Sequence, residues 1–290
     1  MLFRSGVGAD DIHAAYDVNS GKTVVTYTQK NGNNYPYAVV VTVSGTDLSF
    51  GTPVAMKSSA QYNTIVEYDS NAQKVLCIYN QSNGKVYGRV GTVSGTSISF
   101  GAEAQVSTLN ATIDGTALSF DSTANKFVLS MIGYGAGVPT LRVLTISGTS
   151  VSGGTAVNGN GLSNGSYRPE LTYIPSINRT VLIQGYAGSY AYYYILTVSG
   201  TDITVPSGIR FDETLGVGPG QIYVAVAGDK MYMQYPETAG THNTLLQIDV
   251  STTQITFAPL TDQIKTRSGD SSGYPAAVYE PHTGGSINEE

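Results

Sequence analysis

The chain has 290 residues, and only 12% of them are charged, about half the share usual in globular domains. The formal charge of −6, with no Lys/Arg cluster, argues against a nucleic-acid groove, and no apolar run is long enough to cross a bilayer. Cys77 stands alone, which excludes an internal disulfide and a thiolate metal site.

From the start, Met1–Gly6 runs into Asp10-Asp11 without the apolar core of a signal peptide, so synthesis in a host cytoplasm without export is expected. Ala15-Tyr16-Asp17-Val18-Asn19-Ser20-Gly21-Lys22 then reads as a turn between two apolar runs. An Asp side chain in such a turn bonds backbone two residues on. The turn returns as Glu67–Lys74 and Ser119–Lys126, weakens to Thr172–Arg179, shortens to Val226–Lys230 and appears last at Val278–Gly285. A second motif keeps step with it. Val43-Ser-Gly-Thr46 recurs at Val93–Thr96, Ile146–Thr149 and Val198–Thr201, with a worn copy, Val-Ser-Thr-Thr, at Val250–Thr253. Here Gly supplies the positive φ of a tight hairpin turn. The serines fall at 44, 94, 147, 199 and 251, a period of 50–53 residues.

A period of that length marks a repeat architecture. Each unit reads as four strands: in the second, Asn63–Tyr68 (A), Lys74–Tyr79 (B), Lys85–Val93 (C) and Ser97–Val106 (D). Four antiparallel strands per unit predict an all-β fold, a β-propeller of four-stranded blades. Five units are complete, so a five-bladed propeller spanning residues 1–281 is expected, followed by a polar tail, residues 282–290; six blades is the alternative. One A strand, Tyr274–Tyr279, is left over, and Met1–Phe3 aligns with the end of a D strand. A terminal strand is therefore expected to complete a blade begun at the other end.

The string Val90-Gly-Thr-Val-Ser-Gly-Thr-Ser-Ile-Ser-Phe-Gly101, with the Tyr-Asp-x-x-x-x-Lys-Val hairpin, resembles the repeat of propeller-type virion proteins of tailed bacteriophages, marine ones especially. The resemblance covers nearly the whole chain, most strongly in units one to three. It implies a propeller fold and a virion setting in tail, fibre or capsid surface, and it carries no functional residues with it.

If the A strands run from top to bottom, the repetitive A–B and C–D turns share the bottom face. The B–C loops and the connections between blades share the top. Variable loops on a rigid scaffold are where binding sits, and these are rich in tyrosine, a stiff apolar ring with a polar tip. The candidate binding residues are Asn33, Tyr35 and Tyr37 in the first B–C loop, Tyr134 in the third, Tyr186, Tyr190 and Tyr192 in the fourth, and Tyr235 and His242 in the fifth. Tyr62, Tyr167 and Arg168 join them from between blades. The competing reading is that strand-edge tyrosines merely cover blade sides.

The Asp-bearing turns lack the spacing of a calcium loop and read as structural. For catalysis, Asp11, Glu67, Asp114 and Glu170 are the carboxylates of the A regions. Paired carboxylates hydrolyse glycosidic bonds, but these four occupy unlike points of their units, and His13, His242 and His282 form no triad or metal pattern. The expectation is a non-enzymatic virion structural protein, without cofactor or metal, that binds other virion proteins, a host surface protein or a glycan, and that is compatible with homo-oligomers on the particle. A lectin-like module and a five-bladed glycoside hydrolase are the alternatives.

Overall fold

The computed structural model describes residues 8–30, 34–59, 61–81, 84–109, 111–133, 138–159, 166–186, 190–210, 223–227, 230–236, 243–257 and 264–266. They form five antiparallel sheets, the blades of a β-propeller. Blade 1 holds β1 (Gly8–Asp17), β2 (Lys22–Lys30), β3 (Tyr35–Ser44), β4 (Asp47–Phe50) and β5 (Val54–Ala55). Blade 2 holds β6 (Gln61–Asp69), β7 (Lys74–Gln81), β8 (Val86–Ser94), β9 (Ser97–Phe100) and β10 (Ala104–Ser107). Blade 3 comprises β11 (Ala111–Asp121), β12 (Lys126–Gly133), β13 (Pro139–Ser147), β14 (Ser150–Gly153) and β15 (Val157–Asn158). Blade 4 comprises β16 (Ser166–Ile174), β17 (Arg179–Tyr186), β18 (Tyr190–Ser199), β19 (Asp202–Thr204) and β20 (Ile209–Arg210). Blade 5 has β21 (Tyr223–Ala227), β22 (Lys230–Pro236), β23 (Asn243–Val250), β24 (Ile255–Phe257) and β25 (Ile264–Thr266). Met1–Phe3, Tyr274–Tyr279 and the tail 282–290 lie outside the described residues.

The order A–B–C–D holds, but the outer strand is not continuous. In every blade the third strand pairs with two short outer segments, as β8 does with β9 and β10. The expected single strand Ser97–Val106 is thus broken at Gly101, and the neighbouring blade explains why. A Cβ on Gly101 would lie 1.9 Å from the carbonyl oxygen of Thr149, in the Ser-Gly-Thr turn of blade 3. Gly51 meets Thr96 in the same way at 1.9 Å, and Gly154 meets Thr201 at 2.2 Å. At these three junctions the turn of the following blade presses its carbonyl into the outer strand of the one before, where only glycine leaves room.

The turns themselves form as the sequence predicts. The carboxylates of Asp17, Asp69 and Asp121 each accept two backbone N–H groups from residues two and three positions on. In blade 4 a single 3₁₀ turn, Pro175–Ile177, takes this place and ends on Asn178 at φ 51°.

The core is the set of spaces between blades. Strands alternate their side chains to the two faces of a sheet, so blades 2, 3 and 4 each give one set to the blade before and one to the blade after. Ala38 and Val40 of blade 1 pack with Cys77 and Ile98 of blade 2. Ile78 and Val90 pack with Phe127 and Val151, Val128 and Val143 with Leu182 and Ile203, and Val181 and Ile195 with Met231 and Ile255. With both faces covered, the middle strands lose the half-polar alternation of a surface sheet: β7 is buried from Val75 to Asn80.

Candidate functional site

The five inner strands stand side by side around one axis, β1 against β6, β6 against β11, β11 against β16 and β16 against β21. They line a common cavity of about 370 Å³, with His13, Glu67, Thr116, Glu170, Tyr173 and Val224 among its walls. That volume lies within the range of small-ligand sites.

Near the top of the inner strands the pairing slips at one level in four blades: between Asp10 and His13, Tyr62 and Ile65, Ala111 and Thr116, and Tyr167 and Pro169. Such bulges bend a strand and re-aim its side chains. Asp11 and Asn63 sit at the slip with φ of 53° and 51°, the left-handed region that Asn and Asp tolerate. The bulges also join blades. The Asp11 carboxylate accepts the Asn63 N–H at 3.0 Å and the Thr28 hydroxyl at 3.4 Å, and its carbonyl accepts the Thr64 hydroxyl at 2.7 Å. One blade further, Asn80 and Thr116 bond through their side chains at 3.1 Å. The sequence offered Asp11 as a catalytic carboxylate; the fold uses it as a tie between blades 1 and 2.

Glu67 and Glu170 open on the cavity, and His13 lies on its wall. Burial pushes the Glu67 carboxyl up to about 7, against a backbone hydrogen bond at Tyr68 that lowers it. The side chain of Asp114, and residues His242 and His282, lie outside the description. Among the described residues no three His, Cys, Asp or Glu side chains converge as a metal-ligating set.

The tyrosines fall on strands more often than the sequence reading expected. Tyr35 and Tyr37 belong to β3, paired with Gln29 and Tyr27, and Tyr190 and Tyr192 belong to β18, paired with Tyr186 and Gln184. The loops Asn31–Tyr37 and Gly185–Tyr192 are therefore shorter than expected. Aromatic residues extend the ladder because cross-strand aromatic pairs stabilise it. Tyr37 stacks on Tyr27 with ring centres 5.7 Å apart, and Tyr192 packs against the cluster between blades 3 and 4. These two cover blade sides and stay partly exposed. Tyr62, Tyr167, Arg168, Tyr186, Tyr190 and Tyr235 lie on strands at the same end, with side chains outside the description, and Asn33, Tyr134 and His242 lie outside the described residues altogether.

The sequence reading missed two arginines. Arg89 on β8 donates to its own blade's Gly101 carbonyl at 3.0 Å and to the Met56 carbonyl of blade 1 at 2.5 Å. Arg142, at the same point of β13, donates to Gly154 at 2.6 Å and to Val106 of blade 2 at 2.5 Å. Each satisfies carbonyls freed by the break in the outer strand. Beside the first, Glu103 accepts from Lys57 of blade 1 at 2.5 Å and from the Tyr79 hydroxyl at 2.6 Å. Burial would raise the Glu103 carboxyl, but those bonds and the charges of Lys57 and Arg89 outweigh it and hold it below its ordinary value.

No protein-family model matches the chain, and no curated protein sequence matches it. Solved structures do resemble it. A protein from Lactobacillus plantarum is 14% identical with a TM-score of 0.58, over 87% of this chain and 70% of its own. A protein described as a putative 6-phosphogluconolactonase from Bacteroides uniformis is 14% identical with a TM-score of 0.54, over 85% and 69%. At such identity the likeness shows the fold alone.

Proposed function

We propose that this chain is a non-enzymatic recognition propeller, a structural component of a phage virion whose top face binds another virion protein or a host surface. The observation that carries the recognition reading is the contrast between the ends of the inner strands. At the bottom, Asp17, Asp69 and Asp121 make the same turn in three blades. At the top, the bulge places different residues at one level: Asp11, Asn63 and Arg168 in blades 1, 2 and 4. A constant scaffold with a varied rim suits selection of a partner. The virion setting draws on the likeness of the Ser-Gly-Thr repeat to phage propeller proteins. Mass spectrometry of purified particles is the test: the chain should be present in stoichiometric amount, and its absence would remove the reading. On the particle, Tyr186→Ala with Tyr190→Ala should weaken attachment while leaving the fold intact.

A second reading, a glycan-binding module, is favoured by the axial cavity, whose walls offer Glu67, Glu170, Thr116 and Tyr173 to a hydroxyl-rich ligand. Titration with an oligosaccharide panel tests it, and Glu67→Gln should change the affinity of any sugar that binds there.

A further inference from the structure

The walls of the axial cavity share a charge character. Among the described residues they carry two carboxylates, Glu67 and Glu170, one imidazole, His13, and neither lysine nor arginine. Glu67 stands on β6 and Glu170 on β16, with β11 between those strands. Glu170 and His13 each lie four residues before the end of their inner strand, and Glu67 lies two before the end of its own. The carboxylates are therefore offset by two residues, about 7 Å along a strand. They face the cavity at two heights and not as one close pair.

Toward the A–B turns the wall becomes aromatic. Phe120 and Tyr173 are the next-to-last residues of β11 and β16, both half-buried and both lining the cavity. Tyr173 is fixed there, because its hydroxyl donates to the Asn178 side-chain oxygen at 3.2 Å and meets the Thr123 hydroxyl at 2.6 Å. An aromatic face attracts a cation. A carboxylate does so more strongly, and a cation leaving water needs such a partner. At Glu67 it is burial, and not a neighbouring charge, that raises the carboxyl, with a backbone hydrogen bond at Tyr68 as the offset. A cation brought beside it would stabilise the ionised form, whereas an anionic ligand would meet repulsion.

We infer that the axial cavity binds an organic ammonium group, held by Glu67 and Glu170 with the faces of Phe120 and Tyr173 beside it. The inference rests on the glycan-binding reading for the cavity as a ligand site, and it adds the charge of the ligand: an amino sugar, not a neutral or phosphorylated one. The cavity begins at the bulge, with Thr116 and Pro169, and runs toward the turns. It is therefore separate from the varied rim, and the two sites stand or fall independently.

Calorimetric titration of the full chain at pH 7 tests this with four probes: glucosamine, glucose, glucose 6-phosphate and choline. Glucosamine should bind at least about tenfold more tightly than glucose, the ratio that corresponds to about 1.4 kcal/mol, and glucose 6-phosphate should not bind. Glu67→Gln should abolish the preference for glucosamine, while Glu67→Asp, which keeps the charge, should retain it. Choline binding with neither sugar bound would support the ammonium site and remove the glycan reading. Equal binding of glucose and glucosamine would overturn the ammonium site and leave the glycan reading standing. A preference for glucosamine that survives Glu67→Gln would place the amine elsewhere and overturn the inference. So would binding of glucose 6-phosphate, or no binding of any probe.

Discussion

The junctions between blades 1 and 3 and the junction between blades 4 and 5 are built from the same repeat and held in different ways. In the first group, a glycine in the outer strand admits the Thr carbonyl of the next blade's turn, and an arginine ties the broken strand to the blade before it. At the last junction Pro206 stands where Gly51, Gly101 and Gly154 stand elsewhere. The turn that would meet it is Ser-Thr-Thr, closed locally by the Ser251 hydroxyl, which accepts the Gln254 N–H at 3.0 Å. Blade 4 also has Tyr194 at the position of Arg89 and Arg142, and its buried hydroxyl meets no hydrogen-bond partner among the described residues. Among the described residues, blades 4 and 5 meet in apolar contact through Met231, Met233 and Ile255, and the Ile255 N–H donates to the Tyr193 hydroxyl at 3.4 Å. The lesson is that glycine and turn vary together: where the glycine is lost, the turn that needs it is lost as well.

The largest expected effect tests the glycine. Gly101→Val puts a branched side chain where a Cβ already stands 1.9 Å from the Thr149 carbonyl, and backbone cannot yield as a flexible side chain would. Chemical denaturation should show a loss of about 3 kcal/mol, at the upper end for overpacking. Pro206→Ala should change stability by less than about 1 kcal/mol. Equal losses at both positions would mean that the difference between junctions has no energetic content.

Next comes the arginine. Arg142→Met keeps most of the apolar stem but strands the Val106 and Gly154 carbonyls, a loss of about 2 kcal/mol for buried groups left unpaired. In blade 4, Tyr194→Phe removes a hydroxyl that has no partner among the described residues, so it should be neutral or slightly stabilising. If Tyr194→Phe proved as damaging as Arg142→Met, the tyrosine would be a clasp of its own and the contrast would fail.

The blades were legible in the sequence because the period is: Asp17, Asp69 and Asp121, and the serines of the Ser-Gly-Thr turns, recur with little change. The break in the outer strand was not read, although its signal was present. Gly51, Gly101 and Gly154 follow the turns at a constant distance, and Arg89 and Arg142 lie 53 residues apart. A glycine near a strand end reads equally well as a loop residue, so that signal alone does not mark a break. The top-face tyrosines were ambiguous for another reason. A tyrosine at a strand end satisfies the ladder and a binding loop alike; Tyr37 stacks on Tyr27 and Tyr192 packs between blades 3 and 4, and both keep part of the ring at the surface.

The smallest effect concerns a burden that the firmly clasped half carries. Glu67 on β6 occupies the position held by Ala15, Ser119 and Thr172 in blades 1, 3 and 4, so among these four blades blade 2 alone sets a carboxylate there. Burial raises its folded pKa to about 7, above the ~4.3 of an unfolded chain. The sign follows from linkage: between those values the unfolded chain has released the proton and the folded chain keeps it. Stability from this group is therefore full below about pH 4 and is lost as pH rises through about 7. Glu67→Gln removes the titration. Relative to the parent chain, the variant should gain on the order of 1 kcal/mol at pH 8, since one unit of pKa shift corresponds to about 1.4 kcal/mol and a side chain that opens on the cavity is partly screened. At pH 4 the two should melt together, apart from any difference between a neutral carboxyl and an amide. A gain of the same size at both pH values would show that the amide simply packs better. A loss at pH 8 would show that the ionised carboxylate has a favourable partner across the cavity, and the inner wall of blade 2 would then be a tie rather than a burden.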